Sequence, residues 1–142
     1  MNRTSPRLVL IEDNPADVLL VREAIRERGL EVELISYPDV PEAIAGLANP
    51  GNPRPDAILM DLNLPKGEGM TVIKALRASD HLRDVPLAIL TSSQSPRDLE
   101  QAQRLDVNWY IHKPSTLNEF LTTVGDAVWR LLGGARFHEA PQ

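Results

Sequence analysis

Five short, mostly apolar runs, each followed by a stretch with helical spacing, constrain the fold of this chain more than any other feature. Apolar side chains that recur every three or four residues predict amphipathic helices, and short apolar runs bounded by turn residues predict buried strands. Strands that alternate with helices form a parallel sheet covered by helices on both faces. The predicted strands are residues 8–11, 31–36, 57–60, 87–90 and 107–111.

Ordinary capping residues mark the ends of the predicted helices. Gly29 stands where the first helix should stop, since glycine readily adopts the left-handed conformation that closes helices. Asp39 with Pro41, and Ser95 with Pro96, are typical of helix starts. A helix is also expected around residues 72–78. The apolar stripe of the last amphipathic helix consists of Leu117, Phe120, Leu121, Val124, Val128 and Leu131.

Composition excludes several classes of function. The chain has 142 residues, enough for one domain, and contains no cysteine, which excludes disulfides, thiolate metal sites and cysteine nucleophiles. A net charge of −5 argues against nucleic-acid binding, which depends on Lys and Arg. No apolar run reaches the roughly 18 residues of a membrane span. Residues 1–7 do not resemble a signal peptide, so we expect a cytoplasmic protein without membrane or nucleic-acid partners.

Polar residues follow four of the predicted strands, at the edge where parallel α/β sheets bind ligands. They are Glu12 and Asp13, Asp61, Thr91 and Lys113, in chain order. Each alone has a simpler interpretation, as a helix cap, a turn residue or a solvated lysine. Because all five close strands at the same edge of one sheet, together they predict a functional site.

The chemistry of these residue types is consistent with phosphoryl transfer. Close carboxylates repel each other by about 4 kcal/mol per pair at an effective dielectric near 20, so the cluster needs a cation. Oxygen ligands without imidazole or thiolate point to Mg²⁺, or to Mn²⁺ in its place. The Asp61 carboxylate can accept a phosphoryl group as an aspartyl-phosphate. The Thr91 hydroxyl and the Lys113 cation can stabilise that group, and the small Ser92 leaves room for it.

Four motifs carry a resemblance to the receiver domain of response regulators. They are IEDNPAD (11–17), ILMDLNLPKGEG (58–69), ILTSS (89–93) and YIHKP (110–114), within a match from about residue 8 to 128. The resemblance implies a flavodoxin-like, doubly wound, five-stranded parallel α/β sheet with strand order 2-1-3-4-5. It also implies a receiver domain over residues 1–132 and a short tail, 133–142, with no output domain.

The resemblance assigns roles around the acceptor. Glu12 and Asp13 form the acidic pair, with Asp13 the more direct metal ligand. Asp61 is the phosphoacceptor and a metal ligand, and Asn63 gives its backbone carbonyl to the metal. Gly69 serves the loop after the acceptor.

The remaining roles concern phosphate binding and switching. By the resemblance, Thr91 is the switch hydroxyl and Tyr110 its aromatic partner. Lys113 binds phosphate and precedes a cis peptide bond to Pro114. One departure is Asp106-Val107, where many receivers have Gly-Ala, which puts the turn before the fifth strand in doubt.

Longer stretches resemble one branch of the family, the small regulators partnered with phytochrome-type sensor histidine kinases. They are IEDNPADVLLVREAI, MDLNLPKGEG and NWYIHKPSTLNEF. The partners implied are a sensor histidine kinase and a downstream protein or phosphotransfer protein. The chain would not be an enzyme but a phosphoacceptor that assists its own phosphorylation and dephosphorylation.

We further predict a homodimer through the fourth helix, fifth strand and last helix. Trp129 lies outside the apolar stripe of the last helix, and aromatic side chains are enriched in interface cores. Trp109 on the fifth strand, expected at the edge of the sheet, adds to this surface or packs under the fourth helix. Alternatively, Trp129 packs under residues 137–142 of its own chain.

Other classes of function fit these residues less well. A receiver-like binding module that is never phosphorylated would need none of the five site residues. An aspartate-nucleophile phosphatase would carry Asp-x-Asp after its first strand, whereas here Asp61-Leu62-Asn63 follows the third. A P-loop nucleotidase is excluded, because the sequence contains no GxxxxGK. A flavodoxin-like electron carrier would share the fold but not the carboxylate cluster, which would repel the flavin phosphate.

Overall fold

The computed structural model describes residues 5–62, 64 and 69–133. Strands β1 to β5 are Arg7–Ile11, Glu33–Tyr37, Ala57–Asp61, Leu87–Thr91 and Trp109–His112. Helices α1 to α5 are Pro15–Arg28, Val40–Ala48, Gly69–Ala78, Pro96–Arg104 and Leu117–Leu131. All pairs of neighbouring strands are parallel, and the sheet order is β2-β1-β3-β4-β5, which confirms the predicted flavodoxin-like fold.

Two apolar clusters lie on the two faces of the sheet. Along β1, Val9 and Ile11 join the cluster under α2, α3 and α4, while Leu8 and Leu10 join the cluster under α1 and α5. Strands β3 and β4 are buried along their whole length, whereas the edge strands β2 and β5 are only partly covered. None of the helices in the described ranges is long and apolar enough to cross a membrane.

The capping predictions are confirmed. Gly29 ends α1 with φ 78°, the left-handed conformation that glycine adopts without strain. The Asp39 side chain caps α2, and the Ser95 side chain caps α4. Before α1, the Asn14 side chain accepts a hydrogen bond from the backbone N–H of Ala16. The N-terminal caps of α1, α2 and α4 each bond a backbone N–H that the first turn of the helix leaves free.

Both edge strands begin two residues later than predicted. At β5 the reason is a turn in which Asp106 has φ 57° and the N–H of Val107 bonds back to the Ala102 carbonyl. The side chain of Asn108 then accepts from the N–H of Leu87, at 2.8 Å, before regular pairing starts. The apolar Val107, which the prediction placed in the strand, therefore lies in the turn before β5. At β2 the first sheet bond joins Glu33 N to Pro6 O.

Helix α5 packs on α1 through a glycine and a cation–π contact. A Cβ on Gly125 would lie 3.2 Å from the carbonyl oxygen of Ala24, so the two helices approach closely at this glycine. The Arg28 guanidinium lies 5.1 Å from the centre of the Trp129 ring and also bonds Asp126, at 3.2 Å. Trp129 therefore faces α1.

Leu117 departs from the predicted stripe of α5. Its side chain is 57% exposed, whereas the other five members of the stripe are buried. Leu117 is the first residue of the helix, and Phe120 is the first of its side chains to become buried against the sheet. The helical period correctly predicted which face of α5 is buried, but it did not predict at which residue burial begins.

The guanidinium of Arg77 links the turns that precede β4 and β5 by hydrogen bonds. Arg77, near the end of α3, donates to four main-chain oxygens. They belong to Arg83 (2.9 Å), Val85 (3.1 Å), Leu105 (3.0 Å) and Asp106 (2.9 Å). These bonds lie at the amino end of the sheet and hold the carboxyl end of α4 in place.

Candidate functional site at the carboxyl edge of the sheet

The predicted carboxylates meet at the carboxyl edge of the sheet. Ile11 pairs with Met60, so the next residues, Glu12 and Asp61, lie side by side. Glu12 and Asp61 are buried, at 2% and 5% exposure, and Asp13 is exposed. One carboxylate oxygen from each of Glu12, Asp13 and Asp61 lies within 4.8 Å of the others. Parallel pairing thus brings together acids that are far apart in the sequence.

Burial and crowding alter the ionisation of Glu12. Burial is the larger cause, and the negative charge of Asp61 adds to it, so that the pKa of Glu12 rises from 4.5 to about 7. The Lys113 charge and the backbone N–H of Asn14 oppose this rise, and Asp17 adds to it. Near neutral pH Glu12 is therefore partly protonated, and a cation would favour its ionised form.

Lys113 extends into this cluster from the loop after β5. Its Nζ lies 2.9 Å from Asp17 Oδ2, 3.2 Å from Asp61 Oδ2 and 3.6 Å from Glu12 Oε1. Its backbone N–H donates to the Thr91 carbonyl, at 2.7 Å, which fixes the loop against β4. Burial alone would lower the pKa of Lys113, but the hydrogen bond with Asp17 and the three negative charges outweigh it and raise that pKa. The ammonium therefore stays charged.

Asp17 is a site residue that the sequence analysis missed. It lies in the first turn of α1, where an acid is ordinarily explained by the helix dipole. The available signal was its spacing of four residues from Asp13 within IEDNPAD. That spacing does not reveal the partner, because Lys113 is 96 positions away in the chain.

Thr91 and Tyr110 both contact Ser93, a second residue that was missed. Thr91 is fully buried, and its Oγ1 accepts from the Ser93 N–H at 3.0 Å. The Tyr110 hydroxyl donates to the Ser93 carbonyl at 3.5 Å, and burial raises the pKa of Tyr110. Ser93 Oγ in turn donates to Asp98 of α4, at 2.8 Å. Ser93 thus joins the two predicted switch residues to the start of α4.

Other predicted residues have mixed outcomes. Ser92 is exposed and follows Thr91, and its role beside a phosphoryl group stays a prediction. A Cβ on Gly69 would lie 2.9 Å from the Leu62 carbonyl oxygen, so a residue without a side chain lets α3 start here. The cis peptide expected before Pro114 is wrong: the described residues contain no cis bond, and trans is the lower-energy form. Asn63 lies outside the described residues.

The donor set of the cluster fits a hard divalent cation. Glu12, Asp13 and Asp61 offer carboxylate oxygens only, the ligand type preferred by Mg²⁺ and accepted by Mn²⁺. Asp13 is exposed, so water and a phosphate oxygen can complete the coordination. The residues present therefore match the predicted metal.

The two tryptophans border different sides of α5. Trp109 is 37% exposed and lines a groove with Thr123, Ala127 and Arg130. Trp129 lies against α1, as described above. Whether both belong to one interface stays a prediction, and the alternative in which Trp129 packs under residues 137–142 lies outside the described residues.

Comparisons with known proteins show the family and the fold. The response regulator receiver domain family matches residues 8–125. The response regulator Rcp1 of Synechocystis sp. is 35% identical over 121 residues, covering 82% of each chain. The crystal structure of the phosphorylated cyanobacterial phytochrome response regulator RcpA superposes with a TM-score of 0.83 at 32% identity, over 91% of this chain and 95% of that one. The Mn²⁺-bound form of Rcp1 superposes with a TM-score of 0.82 at 32% identity, over 90% and 95%. The chain belongs to the response regulator receiver domain family of two-component systems, and it is similar to single-domain phytochrome response regulators.

Proposed function

We propose that the chain accepts a phosphoryl group on Asp61 from a sensor histidine kinase. The observation that carries this proposal is the position of the Lys113 ammonium, 3.2 Å from Asp61 Oδ2, beside the acidic pair. A buried carboxylate with a cation at hydrogen-bond distance is pre-organised for an incoming phosphate. A structural aspartate at the end of a strand would need neither the acidic pair nor the lysine.

The reaction is a displacement at phosphorus. An Asp61 oxygen attacks, its bond to phosphorus forms, and the P–N bond of a phosphohistidine donor breaks with its electron pair kept by the imidazole. The Lys113 ammonium stabilises negative charge on the phosphoryl oxygens, and Thr91 can donate its hydroxyl to one of them. Burial of Asp61 strengthens these interactions because the local dielectric is low.

Glu12, Asp13 and Asp61, with the backbone carbonyl of Asn63, would hold Mg²⁺ or Mn²⁺. When bound, the ion supplies positive charge that offsets the carboxylates and the phosphoryl oxygens. Glu12 would contribute in its ionised form, and the exposed Asp13 would be the more direct ligand. The manganese-bound Rcp1 structure supports a divalent ion for this chain.

Intact mass spectrometry with a small phosphodonor tests the acceptor. Wild type treated with acetyl phosphate and Mg²⁺ should gain the mass of one phosphoryl group, and chelation should abolish the gain. Asp61→Asn should gain none, whereas Asp80→Asn, which alters an exposed aspartate, should label like wild type. Full labelling of Asp61→Asn would refute the assignment. A wild type that never labels would favour the unphosphorylated binding module.

The kinase is proposed to be of the phytochrome type. Phytochrome response regulators recur among the similar structures, including the bacteriophytochrome regulator RtBRR at 31% identity and a TM-score of 0.73. Phosphoryl transfer from a panel of purified kinases, timed under equal conditions, tests this. Transfer from a kinase of another type at a higher rate would reassign the partner.

Output is proposed to run through α4, β5 and α5. Thr91 and Tyr110 meet at Ser93, which bonds to Asp98 of α4, so a shift at the site reaches that helix. Helix α4 buries only Ala102, and weakly packed elements move at low cost. Signalling would then occur by contact with a downstream protein or by relay to a phosphotransfer protein.

A homodimer through the same three elements is part of this proposal. Each carries an exposed apolar side chain: Leu99 (40%), Trp109 (37%) and Leu117 (57%). Sedimentation of wild type, Trp109→Ala and Trp129→Ala at high micromolar concentration tests it. Trp109→Ala should weaken the dimer, and the effect of Trp129→Ala decides whether Trp129 also belongs to the interface. A monomeric wild type in both phosphorylation states would refute the dimer.

A further inference from the structure

Among the described residues, Asp17 makes the closest ion pair with the Lys113 ammonium. Asp17 Oδ2 lies 2.9 Å from Nζ, nearer than the oxygens of Asp61 and Glu12. Asp17 belongs to α1 and Lys113 to the loop before α5. The contact therefore links α1 to the loop before α5 within the site.

A favourable interaction with the helix dipole normally suffices to explain an acidic residue in the first turn of a helix. That role needs no partner, and such side chains usually face solvent. The Asp17 side chain is only 22% exposed and reaches Lys113 across the site. Asn14 already caps α1 through the N–H of Ala16, so the cap does not depend on Asp17.

An ammonium group has three N–H donors, and Lys113 faces three carboxylates. Asp61 and Glu12 are almost fully buried, with side-chain exposures of 6% and 2%. Asp17 approaches from the outer side, where solvent would otherwise compete for the same donor. Without it, the flexible stem of Lys113 would have one ligand fewer and an open route towards water.

We propose that Asp17 is a positioning residue that holds the Lys113 ammonium at Asp61, and this rests on the proposed phosphorylation of Asp61. Asp17 keeps Nζ within hydrogen-bond distance of the acceptor before the phosphoryl group arrives. Because a misplaced charge stabilises the transferred group less, loss of Asp17 slows phosphorylation without removing the acceptor, the acidic pair or the lysine.

Two readouts on the same variants test this. The first is the phosphorylation rate with acetyl phosphate, which should fall about fivefold in Asp17→Ala, with Asp17→Asn in between because it keeps an acceptor oxygen. The second is acetylation of Lys113 by acetic anhydride in metal-free protein, read by peptide mass spectrometry. Lys113 reactivity relative to the exposed Lys74 should rise about threefold in Asp17→Ala, since the ammonium is no longer held.

Glu23→Ala is the matched control. It removes a carboxylate from the same helix, where Glu23 pairs with Arg26 near the surface, and should change neither readout. Thermal melting establishes that each variant is folded. If Asp17→Ala does not fold, Asp17→Asn still allows the test.

The two readouts separate the possible failures. Unchanged Lys113 reactivity in both variants overturns the inference, whatever the phosphorylation rate. If Lys113 becomes more reactive but the phosphorylation rate is unchanged or faster, the role of Asp17 in phosphoryl transfer is overturned. If wild type takes up no phosphoryl group, the proposed function fails, and raised Lys113 reactivity alone would then support the positioning contact.

Discussion

Two partly buried cations lie at opposite ends of the sheet, and their surroundings differ in kind. Lys113, at the carboxyl edge, faces the carboxylates of Glu12, Asp17 and Asp61. Arg77, at the amino edge, faces four main-chain carbonyls. Carboxylates can take up a proton, a metal or a phosphoryl group, whereas carbonyls cannot change charge. A cation among carboxylates is therefore suited to chemistry, and a cation among carbonyls to holding turns in place.

Removal of Lys113 should have the largest effect on the reaction. Lys113→Ala should slow phosphorylation about a hundredfold, the scale seen when one donor to a developing negative charge is lost. Arg77→Ala should leave the rate near wild type. Thr91→Ala should keep more of the phosphorylation but blunt the response of α4. Time courses of phosphoryl incorporation measure the rates, and amide hydrogen exchange measures the response. Equal rates in Lys113→Ala and wild type would contradict the comparison.

Removal of Arg77 should have the largest effect on stability. Arg77→Ala leaves carbonyls such as that of Val85 without a partner and should lower the free energy of unfolding by about 2 to 3 kcal/mol. Urea denaturation measures this change. Arg77→Lys should recover little, because an ammonium cannot reach four divergent oxygens. A loss below about 0.5 kcal/mol is typical of an ordinary surface substitution, and it would mean that Arg77 contributes no more than a surface residue.

The carboxyl edge should also make stability depend on pH. The pKa of Glu12 rises on folding from 4.5 to about 7, so between these values the folded state binds more protons than the unfolded chain. The free energy of unfolding should therefore fall as pH rises through this interval, by on the order of 2 kcal/mol without metal. Glu12→Gln should flatten the profile, and Mg²⁺ should oppose the fall. If the stability of Glu12→Gln fell with pH as steeply as that of wild type, the effect would come from a residue other than Glu12.

The smallest effect is expected at the turn beside Arg77. Asp106 has φ 57°, a conformation that costs a residue with a side chain about 1 kcal/mol but glycine almost nothing. Asp106→Gly should raise stability by up to about 0.5 kcal/mol, since the entropy of glycine in the unfolded chain offsets part of the gain. Asp106→Ala should lower it, because alanine visits the left-handed region less readily than aspartate does. The two variants are compared by thermal melting at one pH. The opposite order would mean that φ is not what limits this turn.

Much of the fold was predictable because it depends on local patterns. The capping residues Gly29, Asp39 and Ser95 act within one turn of their own positions, and the strand–helix alternation required a parallel sheet. The starts of β2 and β5 were not predictable in this way. At β5 the apolar Val107 belongs to a turn, and no local signal separates it from a strand residue.

The acidic cluster was predictable for a different reason. Residues that end parallel strands must meet, so Glu12, Asp13 and Asp61 converge whatever the details of packing. The roles of Asp17 and Ser93 depend on the direction of a side chain in a helix or a loop, which the strand pattern does not determine. The exposure of Leu117 was missed because helical period defines a face but not where along the helix burial starts.

The separation of the two tryptophans by α5 has an optical consequence. The Trp129 indole lies under the Arg28 guanidinium, with its ring N–H buried and unpaired among the described residues. Trp109 is 37% exposed and is the immediate neighbour of Tyr110. Their emission should therefore differ in wavelength and in quenching by acrylamide. A Trp129→Phe protein would emit from Trp109 alone, so its fluorescence would follow rearrangement at Tyr110 in real time without any added dye.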